Sequence, residues 1–361
     1  MAFEFQFSAT YWEARDKFLC AAKAAGATIG HHLNPNTGPG GEEVSTDTAW
    51  LGPEDAPKVL VVLSATHGVE GFCGSGCQID GLISGGYGRR QKDMAVLLVH
   101  GVNCHGFAWL RRTTEENVDL NRNWVDYAEA LPANPGYDEL AQALVPPSLS
   151  GPAFETAENT IQAWREKHGD MAYYAAVGQG QYKHKTGLFY GGEAPTWARR
   201  TSEAIIQQHL GRAKHVAAID LHTGLGPYGY GEPICDHPPG SDGTARAKAW
   251  FGESVTEPAL GTSSSTVKVG LTPHGWTRLL PHAAFTYVAL EYGTFPRTFV
   301  RKALREDAWL HAHSNFHAPD AKRIKAQIRR AFFPDTDDWK EMVLFRAAQI
   351  TRQAIAGLAA S

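Results

Sequence analysis

The residues of this chain best suited to chemistry are a histidine and a glutamate three positions apart. His67 and Glu70 follow an apolar run at 59–63, and that run is bounded by Pro57 before it and Gly68 after it. Such a run is typical of a buried strand. Side chains three positions apart at the start of a helix lie on the same side, so both can reach one metal ion. The carboxyl end of a parallel strand is also where α/β proteins bind ligands.

A metal at that position needs further ligands from other strands. A hydrolytic zinc uses three protein ligands and one open position, and two histidines with one glutamate form a known set. His222 stands at the end of the apolar stretch 216–221, and Glu291 follows the stretch 287–290 in the same way. We expect both at the same sheet edge as His67, with His222 as the third metal ligand and Glu291 as a general base.

A fourth segment supplies fixed positive charge and amide donors. Arg111 and Arg112 come soon after a predicted strand at 95–100, and Asn121 and Arg122 lie a few residues further on. A guanidinium is a planar fork that can bind a carboxylate through two hydrogen bonds. A second arginine near a metal can stabilise a developing oxyanion.

These segments require an α/β framework. A strand at 59–65, a helix at 70–84 and a strand at 95–100 predict a right-handed crossover within a mainly parallel sheet. Residues 31–56 are expected to form loops and an edge strand. Further strands are predicted at 173–177, 216–221 and 287–290, and further helices at 8–25, 153–168, 196–210, 242–253, 297–312 and 336–358. We expect one catalytic domain over 1–361, with loop-rich embellishments around 126–152 and 224–284.

Composition limits the partners. The 361 residues carry 34 basic and 38 acidic side chains, a formal net charge of −4, which gives no electrostatic case for nucleic acid or a membrane surface. The start lacks a basic region followed by an apolar stretch, and no segment approaches the ~18 apolar residues of a membrane span. We therefore expect a cytoplasmic protein that acts on a small molecule or peptide. Five scattered cysteines suit reduced thiols.

Taken together, the four segments resemble the zinc carboxypeptidase family of metallopeptidases and its deacylase relatives of the succinylglutamate desuccinylase and aspartoacylase type. The resemblance extends over 58–294, in the family's order. Its elements are His67-x-x-Glu70, Asp119-Leu120-Asn121-Arg122-Asn123, Asp220-x-His222 and Glu291-Tyr292-Gly293. It implies a single α/β domain in which helices flank a mixed, mostly parallel twisted sheet, and one Zn²⁺ per chain.

The resemblance also implies a role for each residue. His67, Glu70 and His222 would bind zinc, and Glu291 would activate the water that attacks an amide bond. Asn121 and Arg122 would hold a substrate carboxylate, and Asp119 would accept a hydrogen bond from a zinc-binding imidazole. Arg112 would stabilise the oxyanion. Arg111 stands close enough to compete for that role and is otherwise expected among the substrate-binding residues.

One feature departs from the family. The larger digestive members have a mobile tyrosine roughly twenty residues before their catalytic glutamate, whereas this chain has no tyrosine between Tyr230 and Tyr287. Tyr228, Tyr230 or His274 are the candidates to replace it. Substrate preference is therefore the property that the sequence leaves open, and Asp236, Arg246 and Lys268 are candidates to tune it.

Three functions remain in view. The first is hydrolysis of an amide next to a free carboxylate in a small peptide, and the second is deacylation of an N-acyl amino acid. The third is a catalytically silent member that only binds a carboxylate or peptide. The glycines at 68, 71, 74 and 76 do not give the dinucleotide-binding spacing, and no Gly-x-Ser-x-Gly elbow indicates a serine hydrolase. His311, His313 and His317 are expected on a solvated helix face.

Overall fold

The computed structural model describes residues 3–316 and 318–361. It contains a seven-stranded sheet in the order β1-β2-β4-β3-β5-β7-β6. The strands are β1 (Thr28–Thr37), β2 (Glu43–Leu51), β3 (Lys58–Leu63), β4 (Met94–His100), β5 (His215–Tyr228), β6 (Gly231–Ile234) and β7 (Ala284–Gly293). Strands β4, β3, β5 and β7 run parallel, and β1, β2 and β6 pair antiparallel at the two edges. The predicted mixed, mostly parallel α/β sheet is confirmed.

Helices cover both faces of this sheet. They are α1 (Tyr11–Ala24), α2 (Gly71–Ile83), α3 (Cys104–Ala108), α4 (Pro135–Leu144), α5 (Gly151–His168), α6 (Asp170–Gly178), α7 (Trp197–Leu210), α8 (Asp242–Phe251), α9 (Thr272–Leu279), α10 (Arg297–His313), α11 (Ala321–Phe332) and α12 (Asp337–Ala359). One apolar core lies between the sheet and α1, α2, α8 and α12, and a second lies under α7 and α9. A third core joins α4, α5, α6, α10 and α11 beside the carboxyl ends of the parallel strands.

The central strands explain why the site forms where it does. The apolar residues of β3 are all buried because both faces of a parallel sheet are covered by helices. In the parallel register, Leu63 of β3 lies beside Asp220 of β5, and His222 lies beside Glu291 of β7. The chain segments that leave these strands therefore meet at one edge of the sheet.

Several elements differ from the sequence-based predictions. The prediction of a strand at 173–177 is wrong, because these residues belong to α6. Residues 31–56 hold most of β1 and all of β2 rather than one edge strand with loops. The two segments expected to be loop-rich contain regular elements: α4 lies within 126–152, and β6, α8 and α9 lie within 224–284. Among the described residues, no helix combines the length and apolar character that crossing a membrane requires.

Candidate functional site

The first feature of the site is a buried cluster of two imidazoles and one carboxylate. His67 Nδ1 lies 2.9 Å from Glu70 Oε1, and His222 Nδ1 lies 2.9 Å from Glu70 Oε2. One ligand atom from each residue can be chosen so that all three lie within 4.8 Å of one another. All three residues are buried. Three of the sequence-predicted residues, supplied by two different strand exits, are therefore brought together as a possible metal-binding set.

Each imidazole of the cluster is backed by a second carboxylate on its far nitrogen. His67 Nε2 lies 3.1 Å from Asp119 Oδ1, and His222 Nε2 lies 3.0 Å from Asp220 Oδ2. A carboxylate on Nε2 fixes the tautomer and leaves the Nδ1 lone pair for a metal ion. The donor set therefore fits a zinc ion with three protein ligands, of the kind found in hydrolytic sites.

Asp220 is the functional candidate to which the sequence analysis gave no role. Its Oδ1 accepts a hydrogen bond from Thr66 Oγ1 at 2.8 Å, and its Oδ2 accepts one from Tyr287 Oη at 2.8 Å. Asp220 precedes His222 by two residues in β5, and side chains at that spacing lie on the same face of a strand. This alternation is the pattern that points to Asp220 in the sequence.

The pKa values of Glu70 and His222 are set by the contacts between the carboxylates and imidazoles of the cluster. Burial alone would raise the pKa of Glu70, but His67 and His222 together hold it well below its usual range. Burial would lower the pKa of His222, yet Asp220 and Glu70 raise it well above the ordinary value. Asp220 and Glu70 thus favour the protonated form of the His222 imidazole, and a metal ion binds only to a ring nitrogen that is free of its proton.

The turn that carries the first two ligands is shaped by close backbone packing. Gly68 N donates to Arg112 O at 3.2 Å, and a Cβ on Gly68 would lie 2.0 Å from the carbonyl carbon of Gly106. Ala65, two residues before His67, has φ 58°, a conformation that side chains other than glycine rarely adopt. Only glycine fits against the neighbouring backbone here, and the strained turn directs His67 into the site.

The candidate base Glu291 faces this cluster from β7. Leu225 N donates to Glu291 Oε1 at 3.0 Å, which leaves Oε2 as the oxygen that can take a proton. Burial and the nearby Glu70 carboxylate raise the pKa of Glu291 to about 7. We call the group formed by His67, Glu70, His222 and Glu291 the metal end of the site.

The two adjacent arginines take different positions. Arg112 Nε donates to Asp119 Oδ2 at 2.9 Å, Arg112 Nη1 donates to Glu70 Oε1 at 3.2 Å, and Nη2 lies 2.8 Å from His67 Nε2. Arg111 is buried away from the cluster, and its Nη2 donates to Asn117 Oδ1 at 2.7 Å. Arg112 lines the cleft over the metal end and Arg111 does not. The geometry therefore disfavours a substrate-binding role for Arg111.

A cleft extends from the metal end toward four polar residues. These residues are Asn121, Arg122, Asp236 and Lys268, and we call this group the substrate end. The apolar residues that line the cleft include Leu271, Pro273, Ala289 and Ile234. Arg246 is not among the residues lining this cleft; its Nε donates to Thr286 Oγ1 at 2.8 Å.

Asn121 and Arg122, the residues predicted to hold a substrate carboxylate, are fixed by hydrogen bonds to neighbouring groups. Asn121 Oδ1 accepts from Thr272 N at 3.0 Å and from Thr272 Oγ1 at 2.6 Å, while Asn121 Nδ2 lies 3.3 Å from His222 Nε2. Arg122 donates from Nη1 to Asn121 O and from Nη2 to Gly178 O, both at 2.6 Å. Its side chain is only 1% exposed, and among the described residues its Nε has no hydrogen-bond partner. A buried donor of this kind is expected to find an acceptor, for example in a ligand.

None of the three candidates for the missing tyrosine lines this cleft. Tyr228 and Tyr230 are 39% and 42% exposed, and Tyr228 Oη lies 2.6 Å from Thr336 Oγ1. His274, in α9, lies near Asp236 but is not one of the residues that line the cleft. The tyrosines that do line the cleft are Tyr174 and Tyr287.

The histidines near the end of α10 differ from one another, and His313 is exposed as expected. His311 is not on a solvated face: its side chain is 15% exposed, and its Nε2 lies 2.9 Å from Lys325 Nζ. Burial and the charges of Arg111 and Lys325 lower the pKa of His311. His317 lies outside the described residues.

Solved structures with a similar fold include three that are informative. Thrombin-activatable fibrinolysis inhibitor matches with a TM-score of 0.50 and 10% identity, over 99% of this chain and 76% of its own. Its bovine form, solved with a tick carboxypeptidase inhibitor, matches with a TM-score of 0.49 and 11% identity, over 98% and 99% of the two chains. Succinylglutamate desuccinylase from Chromobacterium violaceum matches with a TM-score of 0.36 and 12% identity, over 91% and 76%. The match to thrombin-activatable fibrinolysis inhibitor at a TM-score of 0.50 confirms the predicted fold.

The comparison with curated proteins finds no match. A family model described as "Protein of unknown function (DUF2817)" matches residues 7–346. Because this match extends over most of the 361 residues, the chain belongs to the DUF2817 family.

Proposed function

We propose that this protein is a zinc-dependent hydrolase that cleaves an amide bond next to a free carboxylate. The observation that carries the proposal is the pair of imidazoles at the metal end. Both turn Nδ1 toward the Glu70 carboxylate, and both have a carboxylate on Nε2. Such carboxylate-histidine pairs are typical of metal-binding sites.

His67, Glu70 and His222 would hold the metal ion. When bound, Zn²⁺ would polarise the substrate carbonyl and lower the pKa of water toward ~7. The buried position of all three ligands supports a dry site, in which electrostatic interactions are stronger than in bulk water.

Glu291 is the residue we assign to proton transfer. Its Oε1 is held by Leu225 N, so Oε2 would take a proton from the attacking water and return it to the leaving amine. Burial and Glu70 raise the pKa of Glu291 to about 7, and a bound Zn²⁺ would act in the opposite direction and favour the carboxylate form that accepts a proton. General bases of this kind contribute roughly 10²–10⁴-fold to rate.

Arg112 would contact the oxyanion that forms during the reaction, and the substrate end would bind the free carboxylate of the substrate. Arg112 keeps its guanidinium over the metal end through Asp119 and Glu70, where it would stabilise the negative charge on the tetrahedral oxygen. Asn121 and Arg122, held by Thr272 and two backbone carbonyls, would bind the free carboxylate.

The proposal is tested by hydrolysis of two substrate panels, C-terminal dipeptides and N-acyl amino acids. We expect zinc-loaded protein to cleave members of at least one panel, and protein treated with a chelator to lose that activity and regain it with zinc. Cleavage of dipeptides alone indicates a carboxypeptidase, and cleavage of N-acyl amino acids alone indicates a deacylase.

Two results would contradict the proposal. Activity that survives complete removal of zinc would exclude the metal mechanism. A protein that holds zinc but cleaves neither panel, while still binding members of them, would be the silent carboxylate binder considered in the sequence analysis.

A further inference from the structure

The loop at 262–268 forms one side of the substrate end. Ser264, Ser265, Thr266 and Lys268 all line the cleft. The loop contains five consecutive hydroxyl side chains at 262–266, and it has no regular secondary structure. A loop of this kind needs an external anchor to hold a defined position, since it has no backbone ladder of its own.

Glu232 provides that anchor from β6, an edge strand of the sheet. Its Oε1 accepts hydrogen bonds from Ser263 Oγ at 2.8 Å, Ser264 N at 3.0 Å and Thr256 Oγ1 at 2.5 Å, and its Oε2 accepts from Ser264 Oγ. Glu232 is only 4% exposed. A buried carboxylate that accepts four hydrogen bonds, three of them from one loop, fixes that loop firmly.

The anchor is in register with the candidate base. Glu232 of β6 lies directly opposite Glu291 of β7 in an antiparallel pair. Side chains at directly opposed positions lie on the same face of the sheet. The position of the serine-rich loop is therefore set by the strand pair that also places Glu291.

The far end of the loop is fixed as well. Trp124 N donates to Gly270 O at 3.1 Å, and Val269 N donates to Gln179 O at 3.1 Å. Gly270 has φ 67°, and a Cβ there would lie 2.2 Å from the carbonyl oxygen of Arg122. The chain just after Lys268 is thereby packed against the Arg122 backbone.

Lys268 places a second cation at the substrate end. Its Nζ donates to Ser265 Oγ and, at 3.1 Å, to Thr266 O. An ammonium has three donors, so one remains for a ligand. Arg122 likewise keeps an unpartnered Nε while its Nη1 and Nη2 are held by backbone oxygens. The one carboxylate at this end, Asp236, has its pKa raised by burial.

We propose that Lys268 contacts the substrate carboxylate together with Arg122, and that Glu232 is a positioning residue that holds the Lys268 loop in place. This inference rests on the proposed function, because it assumes a substrate with a free carboxylate. Lys268 would determine the preference for that carboxylate over an uncharged group at the same position.

The test measures binding and turnover of matched probes, N-acetyl amino acids and their carboxamides. In zinc-loaded Lys268→Met, we expect binding of the carboxylate probes to weaken by about tenfold to a hundredfold, with little change for the carboxamides and unchanged zinc content. Lys268→Arg should retain most of the preference. Lys92→Met, which removes an exposed lysine just before β4, is the matched control and should behave as wild type.

The positioning role of Glu232 is tested by comparing the change in KM with the change in kcat in Glu232 variants. Glu232→Ala should raise KM for carboxylate substrates more than it lowers kcat, and Glu232→Gln should restore most of the loss because the amide can still bond the serine hydroxyls. Equal losses for carboxylate and carboxamide probes in Glu232→Ala would indicate a merely structural role.

The outcomes separate this inference from the proposed function. If wild type binds zinc and cleaves substrates but Lys268→Met keeps the full preference for carboxylates, the inference is wrong and the proposed function stands. If wild type binds no zinc or cleaves nothing, the proposed function is wrong, and binding of the probes still decides the role of Lys268. Wild type without preference for carboxylate over carboxamide would overturn the inference directly.

Discussion

The two ends of the cleft are built differently. At the metal end, the side chains come from the exits of β3, β5 and β7 and bond mainly to one another. At the substrate end, Arg122 comes from the short 3₁₀ helix Leu120–Arg122 and Lys268 from a loop, and both bond largely to backbone oxygens and hydroxyls. Strand register fixes the metal end, whereas anchors such as Glu232 fix the substrate end. We infer that the sheet determines the chemistry and the loops determine the choice of substrate.

The strongest way to challenge this comparison is to remove the candidate base while keeping the metal ligands. We expect Glu291→Gln to lower kcat by about 10²–10⁴-fold, since the amide cannot take a proton. Zinc content, measured by mass spectrometry of the purified protein, should stay at the wild-type level. Near-normal turnover in this variant would show that another group acts as the base.

A second prediction sharpens the distinction between the adjacent arginines. Arg112→Met should lower kcat by roughly 10²–10³-fold, as the loss of one oxyanion-stabilising donor does in other hydrolases, with a smaller change in KM. Arg111→Met should instead lower the melting temperature, because Arg111 is buried on Asn117 outside the cleft. Steady-state kinetics and calorimetry distinguish the two effects. A large kcat effect from Arg111 alone would reverse the assignment.

A third prediction concerns the carboxylate behind His222. Asp220→Asn should weaken zinc affinity about 10- to 100-fold, the usual effect of losing such an outer partner, while folding is retained. Zinc titration against a competing chelator measures this. An affinity equal to that of wild type would mean that Asp220 only braces Thr66 and Tyr287.

The smallest expected effect is a pH dependence at the substrate end. Burial and the nearby Arg122 charge lower the pKa of Lys268 to about 8, although Asp236 and Glu291 oppose this shift and Arg112 adds to it. A lysine is charged below its pKa, so KM for carboxylate substrates should rise as pH increases through about 8. Lys268→Arg should remove this rise, because arginine stays charged over the whole range. A KM profile that is the same in both proteins would exclude Lys268 as the titrating group.

The proximity of the side chains at the metal end could be predicted because the sequence information for it is local. His67, His222 and Glu291 each follow an apolar run, and runs of this kind identify strands whose carboxyl ends meet in a parallel sheet. In the structure, His222 of β5 is paired with Glu291 of β7, as expected for two parallel strands that end at the same edge of the sheet. Asp220 belongs to the Asp220-x-His222 motif. Its position two residues before His222 in a strand places both side chains on the same face of the sheet.

Other features depend on packing that the sequence does not display. The sequence left the choice between Arg111 and Arg112 open, and in the folded chain only Arg112 of the two lines the cleft. Residues 173–177 have aromatic side chains typical of strands, yet α6 begins with Asp170 directly after the turn at Gly169 that ends α5. The role of Lys268 depends on Glu232, which is 36 residues away in the chain.

The measurement that tests the central claim most directly is zinc stoichiometry in wild type and in two histidine variants of β5. We predict one zinc per chain in wild type and in His215→Ala, whose histidine lies at the opposite end of the strand, and almost none in His222→Ala. Because a metal-binding imidazole nitrogen must lose its proton, and Asp220 and Glu70 raise the pKa of His222, zinc uptake should also release protons and strengthen with rising pH. Full zinc occupancy in correctly folded His222→Ala, or no zinc in wild type at any pH, would contradict the account.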